Sequence, residues 1–308
     1  MMRAKRPLLL LGLLSTVLRC TSVSIIPSAR SFSSSGSLPR LRVLLIRHGE
    51  SFNNALSEVS VSHYRNNRLA DPHLTPLGEL QAAAVASHLS GPDCLPLLAG
   101  LSAVYVSPFL RTLQTATPLV LSLSSSSANP LVSRGKIWRD LFEVGGAFHR
   151  HEHAGGAVGT GGLPLEEMLS RFPVEYCPRF HEGTPGKGVD SKGWYDGHTR
   201  ETVEEAKARV KRVAARLRCM AKELEKDGGS KTIALVVHGD FIDIILQEFL
   251  QLDLSMLGDQ SKHVFRTYNT CFTCVDIFQD DKVAILFHNY HQHLKDLVKI
   301  EKLGIVLV

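Results

Sequence analysis

Long apolar runs are missing from this 308-residue chain. None reaches the roughly 18 residues of a membrane-spanning helix, so no span is expected in the mature form. Cysteine is scarce, at six residues, and follows neither a disulfide framework nor zinc-ligand spacing. Cys20, Cys94, Cys177 and Cys219 are isolated. Cys271 and Cys274 have CxxC spacing, but they sit in a strand-like run, where residues three apart face opposite ways; buried, inert thiols are expected. Acidic residues are absent from the first 40 positions, which hold Arg3, Lys5, Arg6, Arg19, Arg30 and Arg40. Without those six, 29 of the 35 Lys and Arg remain against 30 Asp and Glu. The basic excess therefore belongs to the N-terminal segment, and no nucleic-acid surface is implied. A P-loop is also lacking. Gly183-Thr184-Pro185-Gly186-Lys187-Gly188 departs from Gly-x4-Gly-Lys-Ser/Thr, so no attached kinase domain is expected.

Residues 1–40 read as a disordered targeting leader. Met1 to Arg6 is basic, Leu8 to Leu18 is an apolar stretch of signal length, and Ser22 to Ser37 is serine-rich with Arg30. The combination suits a bipartite plastid leader; a mitochondrial presequence is the simpler rival, and secretion the alternative. The fold is expected over 41–308.

Two short apolar runs organise that part. Val43 to Ile46 is followed by Arg47-His48-Gly49, and Ile233 to Val237 by His238-Gly239-Asp240. Unbroken apolar runs of this length suit strands buried on both faces of a parallel sheet. Ligands bind such sheets at the carboxyl ends of the strands, where both histidines would lie. Helical patterns alternate with these strands. Thr75-Pro76 opens one helix, which Gly91-Pro92 ends. Ser102 to Val106 reads as a strand leading into a helix that carries Arg111. Lys136 to Leu141 reads as a short strand delivering Glu143, and Thr202 to Glu205 as the capping box of a long amphipathic helix. Phe241 to Leu250 is a further apolar helix, and a hairpin turns at Asp280-Asp281. The expected fold is α/β: a three-layer α/β/α sandwich with a central, mostly parallel sheet. Glycine-rich residues 144–198 read as a lid-like insertion.

Arg47-His48-Gly49-Glu50-Ser51 with Asn54, and Leu74 to Ala82, resemble motifs of the histidine phosphatase superfamily, in its phosphoglycerate-mutase-like branch. Ser107 to Ala116 resembles its second motif, and Glu143 and His238-Gly239 match the third and fourth, all in family order. The chemistry is also readable from the residues. A phosphoryl group carries about two negative charges. Arg47 and Arg111 each offer it a planar fork of donors; Asn54 adds a neutral donor, and His238, if protonated, a further one. His48 would attack phosphorus through a neutral ring nitrogen. Glu143 would protonate the leaving alkoxide and later activate water. The resemblance implies the same roles, with Gly239 beside the substrate and Glu50 in support. No metal or cofactor is called for, because side chains supply the positive charge.

The acid-phosphatase pattern RHGxRxP is absent, as are the paired arginines and Tyr-Asp…Pro-Pro segment of true mutases. A metal-independent phosphomonoesterase is therefore expected, acting on a small phosphate ester or a phosphoprotein. A mutase or phosphotransferase and a non-catalytic phosphate-binding scaffold are the alternatives. His149-Arg150-His151-Glu152-His153 reads as solvated loop, and Arg150, Lys187 and Lys192 either as groups available to a second acidic group of the substrate or as simply solvated. The sequence sets no oligomeric state.

Overall fold

The computed structural model describes residues 40–125, 132–150, 157–177, 192–195, 199–227, 229–252, 263–295 and 297. In chain order the strands are β1 (Arg40–Arg47), β2 (Leu101–Val106), β3 (Gly135–Ile137), β4 (Phe148–Arg150), β5 (Ala157–Gly159), β6 (Val174–Tyr176), β7 (Lys231–Val237), β8 (Phe272–Phe278) and β9 (Val283–Tyr290). The α-helices are α1 (Phe52–Val59), α2 (Val61–Asn67), α3 (Pro76–Ser90), α4 (Leu110–Ser124), α5 (Leu165–Arg171), α6 (Val203–Asp227) and α7 (Gly239–Leu250). Among the described residues no helix is long and apolar enough to cross a membrane.

Seven strands form one sheet in the order β6-β3-β2-β7-β1-β8-β9. The first five run parallel; β8 is antiparallel to β1, and β9 to β8. Alternation of side chains along the strands feeds two cores. Leu44, Ile46, Val104 and Val236 pack under α3 and α4, with Val85, Leu89, Leu113 and Val120. Val43, Leu45, Leu235 and Val237 pack under α6 and α7, with Val213, Leu217, Phe241 and Ile245. This is the expected three-layer α/β/α sandwich, and it explains why β1 and β7 read as unbroken apolar runs. Each fully buried aliphatic side chain contributes roughly 1.5–3 kcal/mol. At the antiparallel junction, the buried Arg42 fork donates to both oxygens of Asp276 at 2.8 and 2.9 Å.

Register places the site. Arg47 lies opposite Val237, and Val106 opposite Val236, so three strands end at one edge. The His48 N–H donates to Val237 O (2.9 Å), and that of Ser107 to Val236 O (3.1 Å). Local sequence then sets the helices. Thr75 caps α3 by accepting from the Gly78 N–H, with Pro76 at the first helical position. Ser51 and Asn54 form a capping box on α1. Thr202 and Glu205 form the expected one on α6.

Two details differ from the sequence reading. Phe52–Val59 and Val61–Asn67 form two helices, α1 and α2, that the sequence reading does not include. The strand read over Lys136 to Leu141 is shorter: β3 ends at Ile137, and Arg139–Leu141 is a 3-10 turn. Among the described residues of 144–198, β6 extends the main sheet, and Trp194 and Tyr195 join the core. His151, Glu152, His153 and Lys187 lie outside the described residues.

Candidate active site

His48 leaves the end of β1 fully enclosed, at 2% exposure. Its Nδ1 lies 2.6 Å from Gly49 O, and a carbonyl only accepts, so Nδ1 carries the proton. Nε2 therefore presents a lone pair, and the Arg111 Nε–H donates to it at 3.1 Å. Burial, then Arg111 and Arg47, hold the His48 pKa well below its ordinary 6.5. The imidazole is neutral, with its free nitrogen aimed at a guanidinium.

His238 stands at the N-cap position of α7, its side chain free of any capping bond to the helix. Its Nδ1 accepts from Arg111 Nη2 at 3.1 Å, so its proton sits on Nε2 and is donated to Ser107 Oγ at 2.7 Å. Burial, Arg111 and His48 keep this ring neutral too. The sequence reading held His238 in reserve as a protonated donor. The structure has it as a neutral acceptor that fixes the fork of Arg111. The two imidazoles meet edge to face, 5.2 Å between centroids.

Arg111 stands on the first turn of α4. Phe109 supports it from one side, with Cζ 4.2 Å from the ring centre. Arg47 is anchored through Nη1 to Thr267 O, while its buried Nε has no partner. Gly239 makes room for it: a Cβ there would stand 3.3 Å from the guanidinium. The loop of the first motif is clamped from α3 and α4. Thr115 Oγ1 accepts from the Gly49 N–H (3.0 Å), and Gln81 Oε1 from the Glu50 N–H (2.8 Å). A Cβ on Gly78 would meet Glu50 O at 2.0 Å, so this backbone contact demands glycine. Glu50 itself accepts from Thr75 Oγ1 at 2.6 Å and supports the loop from outside the cavity.

Glu143 follows the 3-10 turn after β3. Its Oε1 accepts from the N–H groups of Val144 (2.9 Å) and Phe241 (3.2 Å), the latter in the first turn of α7. Burial, then the Asp240 carboxylate, push its pKa up to about 7. Arg209 on α6 holds the preceding backbone by donating to Asp140 O and Phe142 O, and binds Glu201 through a two-bond fork.

Arg47, His48, Asn54, Arg111 and Glu143 thus line one cavity of about 480 Å³. His238 stands directly behind Arg111, and Gly239 behind Arg47. The Asn54 Oδ1 accepts from Ser51 and Asn269, which leaves its amide nitrogen as the group able to donate elsewhere. Lys192 is exposed and does not line the cavity. Sequence reasoning did not single out Ser107, Thr115 or Arg209. Thr115 was findable, one helical turn beyond Arg111; Arg209 was hidden among the surface cations of α6. Cys271 and Cys274 are fully buried; burial pushes the Cys271 thiol to about 12 and raises that of Cys274. Among the described residues no three His, Cys, Asp or Glu side chains group as metal ligands.

The family model of the histidine phosphatase superfamily (branch 1) matches residues 43–128 and 181–290. The chain belongs to that superfamily. Two curated relatives from Arabidopsis thaliana are similar to it. A phosphoglycerate mutase-like protein is 34% identical over 104 residues, covering 29% of this chain and 37% of that protein. Phosphoglycerate mutase-like protein 2 is 32% identical over 135 residues, 38% of each chain. The chain spans less than two-fifths of the length of these relatives. Among solved structures, phosphoserine phosphatase of Entamoeba histolytica in complex with 3-phosphoglyceric acid is 21% identical, covering 82% of this chain and 99% of its own (TM-score 0.43). Ecdysone phosphate phosphatase of Bombix mori is 20% identical, covering 77% and 89% (TM-score 0.46). Arg47, His48, Asn54 and Arg111 lie within the matched segments, as does His238, and Glu143 lies between them.

Proposed function

We propose that this chain hydrolyses phosphate monoesters through a phosphohistidine on His48. The fixed tautomer of His48 carries this reading, because it puts a neutral lone pair at Nε2, hydrogen-bonded to a guanidinium in the cavity. The buried Arg47 Nε without a partner adds a donor for a phosphoryl oxygen.

In the first step, the Nε2 lone pair attacks phosphorus and the ester P–O bond breaks. Glu143, protonated, gives its proton to the departing alkoxide oxygen. Arg47, Arg111 and the Asn54 amide hold the equatorial oxygens as charge shifts across them. In the second step water attacks phosphorus, Glu143 as carboxylate takes the water proton, and the N–P bond breaks. A glutamate with a pKa of about 7 supplies both forms near neutral pH. The same site would perform phosphotransfer if an alcohol replaced water in the second step. Organellar targeting by residues 1–40 and substrate selection by residues 144–198 belong to the same proposal.

The test is phosphate release from a panel of monoesters, with chelator present, by the full chain and by His48→Ala. The expected result is turnover by the parent and a loss of roughly 10³-fold or more in the variant. Equal activity in both would overturn the assignment of His48. Radiolabel passing to a second alcohol in preference to water would favour transfer.

A further inference from the structure

The cavity wall carries four guanidiniums, Arg47, Arg68, Arg111 and Arg200, against the carboxyls of Glu143 and Asp240. Arg68 and Arg200 stand beyond the pair that meets the transferred phosphoryl group. Both guanidiniums rest on the ring of Phe148, with Cζ 3.7 and 5.2 Å from its centre, so the two cations lie within about 9 Å of each other. Neither forms an ion pair with a carboxylate among the described residues. Two like charges this close repel unless an anion sits between or beside them.

Arg68 is held through its side chain, and Arg200 through the backbone on either side of it. Arg68 donates from Nη1 to Phe148 O and from Nε to Tyr64 Oη (3.3 Å). The residue after it, Leu69, is locked to the Asn53 amide by two bonds of 2.9 and 2.8 Å. Arg200 lies between two anchored neighbours. Thr199 O accepts from Tyr195 Oη (2.7 Å), and the Glu201 N–H donates to Gly145 O (3.1 Å). Glu201 is gripped in turn by Arg209. Pre-positioned guanidiniums bind anionic oxygens with less loss of side-chain freedom.

We propose that Arg68 and Arg200 form a second anion subsite, which takes a carboxylate or second phosphate on the alcohol part of the ester. The preferred substrates are then monoesters with a second acidic group. This deepens the phosphatase reading above, and presupposes that Arg47 and Arg111 hold the transferred phosphoryl group.

The experiment measures binding by calorimetry to the full chain carrying His48→Ala, so that turnover does not interfere. Two matched pairs are compared: 3-phosphoglycerate with glycerol 1-phosphate, and propane-1,3-diol bisphosphate with its monophosphate. At least one acidic member should bind about tenfold tighter than its neutral partner, and the pair with the larger ratio identifies the second group. Adding Arg68→Gln and Arg200→Gln together should bring that ratio towards one. Exposed Arg200, changed alone, should lower it with no change in melting temperature. Equal affinities within both pairs, or a ratio intact in the double arginine variant, would overturn the subsite. Phosphate release by the parent chain is followed separately. If no ester is hydrolysed, the phosphatase reading fails while the binding ratio still decides the subsite.

Discussion

Glu143→Gln separates the two steps of the proposed cycle. An ordinary glutamate with a pKa near 4.5 is protonated in roughly one molecule in several hundred at pH 7. Raised to about 7, Glu143 is protonated in about half of them. Burial and the Asp240 carboxylate therefore enlarge the acid population by on the order of 10²-fold at neutral pH. Glutamine occupies the same space but neither gives nor takes that proton. For an alkyl phosphate, whose alkoxide leaves poorly, single-turnover phosphorylation should fall by about 10²- to 10⁴-fold. For p-nitrophenyl phosphate, whose phenolate leaves without help, phosphorylation should fall by less than about tenfold. Dephosphorylation should slow for both, so the aryl ester should show a burst of nitrophenol and an acid-labile phosphoenzyme. In the parent, alkyl-ester phosphorylation should decline as pH rises above about 7, and this basic limb should vanish in the variant. Its acid limb should lie well below 6.5, because His48 is held neutral far below its ordinary pKa. Equal losses on alkyl and aryl esters, or a basic limb that survives in Glu143→Gln, would refute the acid role.

The same residue has a stability consequence. Below about 4.5 the carboxyl is neutral in folded and unfolded chains alike; as pH rises through about 7, the unfolded chain ionises first, so stability is lost across that window. Glu143→Gln should thus melt higher than the parent at pH 8, by on the order of 1–3 kcal/mol, and little differently at pH 4.5; no gain at pH 8 would contradict the burial argument. Gly78→Ala should cost roughly 1–3 kcal/mol in thermal unfolding, because its Cβ would stand 2.0 Å from Glu50 O; an unchanged melting temperature would show that α3 is not clamped to the first motif. Inorganic phosphate should bind at pH 7 with more proton uptake in the parent than in Glu143→Gln, since an incoming anion favours the neutral form of Glu143, which lines the same cavity. Calorimetry in buffers of different ionisation enthalpy reads this, and equal proton exchange in the two proteins would refute the coupling.

The parts of the fold legible in the sequence are those where one physical demand acts alone. Val43 to Ile46 and Ile233 to Val237 are buried on both faces, so they are apolar throughout, and the polar residues after them mark the strand ends. Thr75-Pro76 and Thr202 to Glu205 carry their caps in local sequence. Where tertiary context decides, the signal fades. No residue of α2 is buried, so Val61 to Asn67 has no apolar stripe to read. β6 is a three-residue edge strand, too short for a pattern. Trp194 sits in a glycine-rich stretch, and long-range contacts tie it to the core: packing on Phe109 and Phe142, at 4.5 and 5.6 Å, and the Arg139 Nε–H donated to its carbonyl at 2.7 Å. The site was legible by residue type and motif order, while its protonation pattern required geometry.

That pattern resolves a tension built into the site. Binding a dianion calls for cations, yet a nucleophilic imidazole must keep its lone pair. Here one arrangement meets both demands. Arg47 and Arg111 are guanidiniums, which stay charged even though burial lowers their pKa. Burial, and then their field, depress both imidazoles, so His48 remains neutral at pH values where an exposed histidine would be half protonated. Arg111 bonds both rings at 3.1 Å, which sets the angle of its fork before any substrate arrives. A phosphoryl group entering between Arg111 and His48 would take over that hydrogen bond and release the lone pair at the moment it is needed. Lysine at position 111 would keep the charge but lose the planar fork that spans the two rings. Arg111→Lys should therefore retain phosphate affinity better than turnover: KM rising by a few-fold while kcat falls by on the order of 10²-fold. Steady-state kinetics on one ester decides it, and a variant with parental kcat would mean that charge alone, not the shared fork, organises the site.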